Sequence, residues 1–589
     1  MSDKYCQNCN LRSDDLFNQV ASNYRKNCNK IEAGDILVCK YCKEQFEISG
    51  LILKAIIDSD SIFKLVIGGP GTGKTFLFKN IIENLPAASD VLVITFINNL
   101  VEDLNKQLGQ IIKTKVTVRT LHSFCKGFLL SHVHPYKYFP ELPKIVEKDA
   151  TFLGFNLNKE KLSHEIANIE RDGSHLRFYL SRAEYYDAVS HEDAAYRVYL
   201  YLKDNAGNVP KYTSIIIDEY QDFNSLEANI IRILTQANPS IIAGDDDQAL
   251  YRFKSASPEF IRDLHKDDKS EKHNLIYCRR CTAVMVKAAN DIIEFAIREK
   301  KLINRIPKNF KCYWPDKYND SRDYPKIILA KCSTHVVAAK YIKKRILEIV
   351  DKDKIQPSDK KEPEFLIVGP SRIPHYLKDV NSVLLNEDGI DPNVYEIEYK
   401  KEKEVFDIEE GYKLIKEDNQ SNLGWRIVLY CDHLEADKEK DIVLESLSGK
   451  KIIELLSSDY ISKHLKNVES ISLENEQKAE EEKKKIIKIK LTSYLLAKGL
   501  SANHVFVLGL ENGIMPENPY NISDDEVCQF IVLLTRARRS LSVLSCKTFN
   551  KKYQIKMDNL SIFISMIPGK LIDVYSIKAA DVKRARKKK

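Results

Sequence analysis

An α/β fold with parallel strands is what the sequence predicts, and three stretches carry the prediction. "KLVIGGPGTGKTFLF", residues 64–78, runs from an apolar strand through a glycine-rich turn into a helix start. "SIIIDEYQD" (214–222) and "SIIAGDDDQ" (240–248) are β-branched runs that each end in acids. Continuous apolar runs of this length suit strands buried on both faces, as in a parallel sheet covered by helices.

Before this pattern comes a cysteine-rich stretch. Cys6-x2-Cys9 and Cys39-x2-Cys42 are two knuckle-like pairs. Four thiolates at tetrahedral geometry suit zinc, and a short segment with little core gains folding energy from the metal. Cys28 lies between the pairs and offers a substitute ligand. The expectation is a zinc-ribbon-like module over residues 1–48. Its role would be structural or nucleic-acid contact, since no His or acid accompanies the pairs as a catalytic ligand set.

Next comes the phosphate loop. Gly68, Gly69, Pro70, Gly71, Thr72, Gly73, Lys74 and Thr75 fit G-x-x-x-x-G-K-[ST] in full. Glycines let backbone N–H groups close around phosphate, the lysine neutralises the β and γ oxygens, and the threonine holds magnesium. The site needs a second acid, and "SIIIDEYQD" supplies it. Asp218 can hold magnesium and Glu219 can activate water. In "GDDDQALYRF" (244–253), Gln248 can hydrogen-bond the γ-phosphate. Three consecutive acids repel, and a metal- and water-rich setting is expected to make Asp245, Asp246 and Asp247 tolerable.

Composition bounds the rest. A chain of 589 residues suggests about four domains. With 43% hydrophobic and 30% charged residues it is a globular protein, neither disordered nor membrane-embedded. The net charge is +7, and the terminal "KRARKKK" supplies most of it, so the global charge says little; the basic tail suits either an acidic partner such as nucleic acid or a solvated end. No apolar run approaches the ~18 residues of a membrane span. The polar start "MSDKYCQNCN" lacks the apolar core of a signal peptide. A cytoplasmic protein with reduced cysteines is expected, which favours metal over disulfides among its 13 cysteines.

Further stretches complete a pattern. "VLVITFINN" (91–99) carries Phe96 and Asn98, and "VRTLHSF" (118–124) carries Thr120 and His122. "YCRRCTAVMVKAAN" (277–290), "TSYLLAKGLSANHVFVLGLENGIMP" (492–516) and "VLLTRARRSL" (532–541) follow in order. With the phosphate loop, "DEYQD" and "GDDDQALYRF", these stretches resemble the motifs of the UvrD/Rep-like superfamily 1 DNA helicases over residues 50–550.

The resemblance implies two RecA-like parallel-sheet domains facing each other across an ATP cleft, with helical insertions. Domain 1A is expected at 49–127 and 213–272, and its helical insertion 1B at 128–212, with "KDNAGNVPKYT" (203–213) as the return linker. Domain 2A is expected at 273–390 and 488–570, insertion 2B at 391–487 and a basic tail at 571–589. The charge-rich "ENEQKAEEEKKK" (474–485) reads as a solvated helix face.

It also implies roles. Arg280 and Arg536 reach the γ-phosphate from the second domain, opposite Lys74, Thr75, Asp218, Glu219 and Gln248. Arg279 and Gly499 sit beside the nucleotide. Phe96, Asn98, Thr120, His122, Tyr251, Phe253 and Lys254 contact DNA, with Phe253 stacking on a base. Aromatic platforms hold single strands without reading sequence. The activity implied is ATP- and Mg2+-dependent 3′-to-5′ translocation and unwinding of single-stranded and partially duplex DNA, in repair, recombination or defence. A motor or sensor subunit serving a separate nuclease is the alternative, motivated by the cysteine-rich module and the short 2B; the chain carries no nuclease motif, so cutting would need another protein. A nucleotide-gated scaffold without hydrolysis fits poorly with an intact Lys74, Glu219, Gln248 and Arg536.

Three base-and-sugar contacts depart from the family. Ile52, in "SGLILKAIID", stands where a glutamine reads adenine. Arg279 replaces the aromatic that stacks on adenine, and Ser501 replaces the glutamate that contacts ribose. Relaxed nucleotide selectivity is therefore expected. Leu495 stands where the family has a DNA-contacting histidine, so one strand contact is expected to be lost.

Overall fold

The computed structural model describes residues 16–21, 34–96, 101, 105, 114–313, 323–359, 362–386, 390–399, 406–432, 434–470, 485–548 and 560–582. Cys6, Cys9, Cys28, Asn98 and the side chains of Cys39, Cys42 and Phe253 lie outside the described residues. So do residues 474–484 of the charge-rich stretch and the terminal basic run from Lys583.

Two parallel sheets organise the chain. Among the described residues, the first has six strands in the order Glu271–Leu275, Phe63–Gly68, Ser240–Gly244, Ser214–Ile217, Asp90–Thr95, Lys115–Thr120. The neighbouring pairs all run parallel. Alternation along a strand sends successive side chains to opposite faces. Val66, Val93 and Ile241 therefore pack with Leu77 and Phe78 of the helix Lys74–Asn84. Leu65, Ile67, Ile94 and Ile242 face the other way, into a core that continues through the helical insertions.

Among the described residues, the second sheet has seven parallel strands: Tyr395–Tyr399, Ile487–Ser493, Phe365–Gly369, Ala502–Val507, Ala537–Thr548, Ile327–Thr334, Ile572–Ile577. Its extent differs from the expected bounds. Tyr395–Tyr399 lies beyond the boundary expected at 390, and Ile572–Ile577 lies inside the expected tail. Likewise the first sheet takes in Glu271–Leu275, past the boundary expected at 272. All three are edge strands, whose half-exposed side chains give a weak apolar signal. In the helical stretches no segment is long and apolar enough to cross a membrane, among the described residues.

The insertions are helical and share one apolar core. Helices Leu142–Phe152 and Ser174–Tyr185 of the first bring Leu142, Ile145 and Tyr179. Helices Asn422–Cys431 and Ala436–Ser446 of the second bring Trp425, Ile427, Val428 and Ile442 to the same cluster. A buried ionic network crosses this contact. Arg426, fully buried, donates to Asp149 at 2.8 Å and to Glu439 at 2.8 Å. Arg182 donates to the other oxygen of Asp149 at 2.9 Å, and Lys148 pairs with Glu439 at 2.7 Å. Each buried charge thus has an opposite partner, without which burial would be costly.

Candidate functional site

The phosphate loop leaves the end of strand Phe63–Gly68, inside the first sheet rather than at its edge. Gly71 and Gly73 hold φ of 67° and 95°, in the left-handed region that glycine adopts at little cost. At Gly71 a side chain would also collide with Arg280 Cβ. Helix Lys74–Asn84 starts directly after the turn, so its free N–H groups and dipole point at the loop. Lys74 Nζ donates to the Gly68 carbonyl at 3.1 Å and lies 3.6 Å from Glu219. Burial works against its charge, but Glu219, Asp218 and Asp245 outweigh that and raise its pKa.

The acids come from neighbouring strand ends. Asp218 follows strand Ser214–Ile217, and its carboxylate accepts from the Glu219 N–H at 2.9 Å. Burial and Glu219 push the Asp218 carboxyl up, so a cation beside it would relieve the site. Glu219 itself sits at φ 55°, ψ 43°, a costly backbone for a non-glycine residue. Its carboxylate accepts from Gln221 Nε2 at 2.6 Å. Burial would raise its pKa, but Lys74, Lys498 and the Gln221 amide bring it below the usual range, so it is ionised at neutral pH.

Gln248 is buried and held from both sides of the cleft. Its Nε2 donates to Asp245 at 2.8 Å, and Arg536 Nη2 donates to its Oε1 at 3.2 Å. Burial and the nearby Arg280 both lower the Arg536 pKa, to about 9. Arg280, which lies against Gly71, and Arg536 thus join Lys74 and the loop N–H groups in a cluster of cations and donors whose chemistry suits a polyphosphate. Thr75 and Asp218 have the oxygen donors that fit a magnesium ion.

Lys498, which the sequence reading passed over beside Gly499, is buried in the cleft. Its Nζ donates to Asp222 and to the Gln248 carbonyl and lies 3.8 Å from Glu219. Only its position one residue before Gly499 could have flagged it.

The three acids have a different setting from the one expected. Asp245, Asp246 and Asp247 are buried, and their oxygens lie close enough together to hold a metal ion. Lys308 occupies their centre, with its Nζ 2.5, 2.6 and 3.0 Å from the three carboxylates. Arg305 adds a bidentate pair to Asp247 at 2.7 and 2.8 Å, and Arg262 donates to Asp246 at 3.0 Å. Protein cations, rather than metal and water, offset the crowding. The acids form the frame that carries Gln248.

The residues expected to meet DNA are distributed unevenly. Phe96 directly follows the strand Asp90–Thr95 and packs on Tyr251, with ring centroids 4.7 Å apart. Tyr251 is only 9% exposed, and its hydroxyl donates to the Leu495 carbonyl at 3.4 Å. It therefore supports Phe96 and offers little open face of its own. Thr120 caps the helix Leu121–His132, accepting from the Ser123 N–H at 3.2 Å. His122 lies 3.6 Å from Glu227, and its burial with His191 and Lys254 nearby lowers its pKa. Lys254 is exposed beside them.

A pocket next to the phosphate loop is lined by Ile52, Leu53, Phe76, Leu275, Tyr277 and Arg279, among others. The lining is largely apolar, and Arg279 brings a guanidinium that also stacks 4.4 Å from the Tyr313 ring centroid. Ser501 accepts from Arg538 at 2.9 Å.

Comparison with known proteins now adds to this geometry. The AAA domain family matches residues 53–254, and the UvrD-like helicase C-terminal domain family matches residues 400–548. "ATP-dependent DNA helicase Rep" of Buchnera aphidicola subsp. Schizaphis graminum is 22% identical, over 82% of this chain and 91% of its own length. The protein of the same name from Buchnera aphidicola subsp. Acyrthosiphon pisum is 23% identical over 41% of this chain and 45% of its own. "DNA helicase II" of Escherichia coli is 25% identical over 39% of this chain and 38% of its own. The last two matches thus span less than half of each relative.

Proposed function

Since the chain belongs to the UvrD/Rep-like superfamily 1 helicases, we propose that it is an ATP-dependent DNA helicase that translocates 3′ to 5′ on single strands. One observation carries the reading. Lys74, Glu219 and Gln248, beside the first sheet, are met by Lys498 and Arg536, beside the second, with Lys498 3.8 Å from Glu219 and Arg536 donating to Gln248.

In this reading Lys74 and the loop N–H groups hold the β- and γ-phosphates, and Thr75 with Asp218 would hold Mg2+. The ion would neutralise phosphate charge as it builds up on the leaving group. Glu219, ionised and fixed by Gln221, orients water by accepting its hydrogen bonds. Arg280 and Arg536 stabilise charge on the transferred phosphoryl group. Gln248 is bonded to Arg536, so loss of the γ-phosphate would loosen the contact between the two domains. Strand Ser240–Gly244 leads into Gln248, then into the Tyr251 on which Phe96 rests. This short path links nucleotide state to grip on a base. Phe96, Thr120, His122 and Lys254, with Asn98 and Phe253, are the DNA contacts of this reading. Its setting is the cytoplasm, in repair, recombination or defence.

Strand displacement on duplexes with a 3′ tail or a 5′ tail tests the direction. The expected result is release of the strand only from the 3′-tailed duplex. Release only from the 5′-tailed duplex would overturn the direction. DNA-stimulated hydrolysis without release would favour a motor that serves a separate nuclease, a reading the Leu495 substitution keeps open.

A further inference from the structure

Two thiols bracket the arginine that reaches the phosphates, in the run Tyr277-Cys278-Arg279-Arg280-Cys281. The proposed hydrolysis uses neither. Both are fully buried reduced cysteines. The Cys281 N–H donates to Cys278 Sγ at 3.4 Å, which folds the C-x-x-C run back on itself. Cys278 is also the register partner of Cys312 in a short parallel ladder, Tyr277–Cys278 against Lys311–Cys312.

The pair is wedged between the two sides of the cleft. A side chain on Gly71 would come within 3.3 Å of Cys278 Sγ. Cys281 Sγ donates to the Thr535 carbonyl at 3.4 Å, next to Arg536. The two sulfurs are chemically unequal. Burial alone would raise Cys278, but hydrogen bonds from the Cys281 thiol and from the Cys281 and Arg280 N–H groups bring it below the usual thiol range. The Cys281 thiol is held high by donating to Cys278 and by burial. An acidic thiol beside a neutral one is the arrangement of an attacking and a resolving cysteine.

We propose that Cys278 and Cys281 are a dithiol modification site, closed to an intramolecular disulfide by a disulfide oxidant such as oxidised glutathione, with loss of hydrolysis until a thiol reductant reopens it. The Cys278 thiolate attacks one sulfur of the oxidant, and the other half leaves as a glutathione thiolate. The Cys281 thiolate then attacks Cys278 Sγ in the mixed disulfide and expels the second glutathione. The two protons lost by the cysteines are taken up by the two glutathiones, so two thiols and one disulfide become one disulfide and two thiols. Closing the ring constrains Arg279 and Arg280 between the joined residues, and Arg280 leaves its place against Gly71. The thiols are buried while the cleft is shut, so opening admits the oxidant and bound nucleotide protects.

The consequence for hydrolysis rests on the proposed role of Arg280, so the bond and the activity are read separately. The full chain is incubated with oxidised and reduced glutathione at graded ratios, without nucleotide and with ADP. Free thiols are then alkylated, and linked peptides are identified by mass spectrometry. The expected link is Cys278–Cys281, slowed by ADP. Hydrolysis should fall on the order of a thousandfold, the scale of a lost arginine finger, and return with dithiothreitol. Cys278→Ser/Cys281→Ser should keep its activity under the same treatment, because the proposed hydrolysis uses neither thiol. Absence of a Cys278–Cys281 link at every ratio overturns the proposal. So does a complete link with unchanged hydrolysis, or equal inhibition of the double variant. If the reduced chain hydrolyses nothing, the proposed activity has failed, and the peptide map alone decides the dithiol.

Discussion

Lys308→Met isolates the frame beneath Gln248. Methionine keeps much of the length of lysine and removes its charge. Lys308 is 5% exposed at the side chain and touches Asp245, Asp246 and Asp247. After the change Asp246 keeps Arg262, and Asp247 keeps Arg305. Among the described residues, the donors that stay bonded to Asp245 are neutral, the Gln248 amide and the Asp247 N–H. One carboxylate therefore loses its close cation. Breaking a buried pair from one side costs about 3–5 kcal/mol. The loss has a ceiling, because the site can bind a proton instead. Protonating an ordinary aspartate at neutral pH costs about 4 kcal/mol. The native variant then holds a proton that the unfolded chain releases above a pKa of about 3.9, so its stability falls as pH rises.

Urea unfolding of wild type and variant from pH 5.5 to 8 reads this directly. Destabilisation of about 3–4 kcal/mol near pH 7.5, shrinking by roughly 1 kcal/mol per unit toward pH 5.5, is the expected outcome. The carboxylate that anchors the Gln248 amide also loses its own cation, so kcat should fall more than nucleotide KM changes. A cost below about 1 kcal/mol with no pH dependence would refute the reasoning and point to water or an ion in place of Lys308.

Other predictions follow from the same contacts. Arg426→Met should lower stability by about 3–5 kcal/mol in thermal or urea unfolding, because Glu439 and Asp149 each lose a buried partner. Burial pushes Glu511 up to about 8, above its unfolded value. The native state then holds the extra proton, so wild-type melting temperature should fall from pH 5 to 8, and Glu511→Gln should flatten part of that fall. Steady-state hydrolysis should proceed at comparable rates with ATP, GTP and CTP, and Ile52→Gln should favour ATP, as the apolar pocket wall carries no amide there. Strict ATP preference in the wild type would contradict this. Metal analysis should find about one zinc per chain, lost in Cys39→Ser/Cys42→Ser.

What could be read from the sequence was local. The phosphate loop, "DEYQD" and the strands feeding them are short patterns whose chemistry depends on neighbours a few residues away. The frame around the three acids depends on distance in the chain. Lys308 and Arg305 lie some sixty residues beyond the aspartates they neutralise, and nothing in "NRIPKNF" announces that destination. Tyr251 was expected to contact DNA, yet its ring turns inward onto Phe96. Lys498 was hidden because a lysine beside a glycine reads as surface until its three acceptors are seen. The edge strands Tyr395–Tyr399 and Ile572–Ile577 mix charges with apolar residues, which masks them as insertion and tail. The joining of the two helical insertions rests on Asp149 and Arg426, hundreds of residues apart, and periodicity carries no sign of it.

The most direct test of the central claim is ATP hydrolysis by wild type and Glu219→Gln, each with and without single-stranded DNA. The account predicts hydrolysis that DNA stimulates in the wild type and that is lost in the variant, while the variant still binds nucleotide. Hydrolysis that ignores DNA, or that survives in Glu219→Gln, would contradict it.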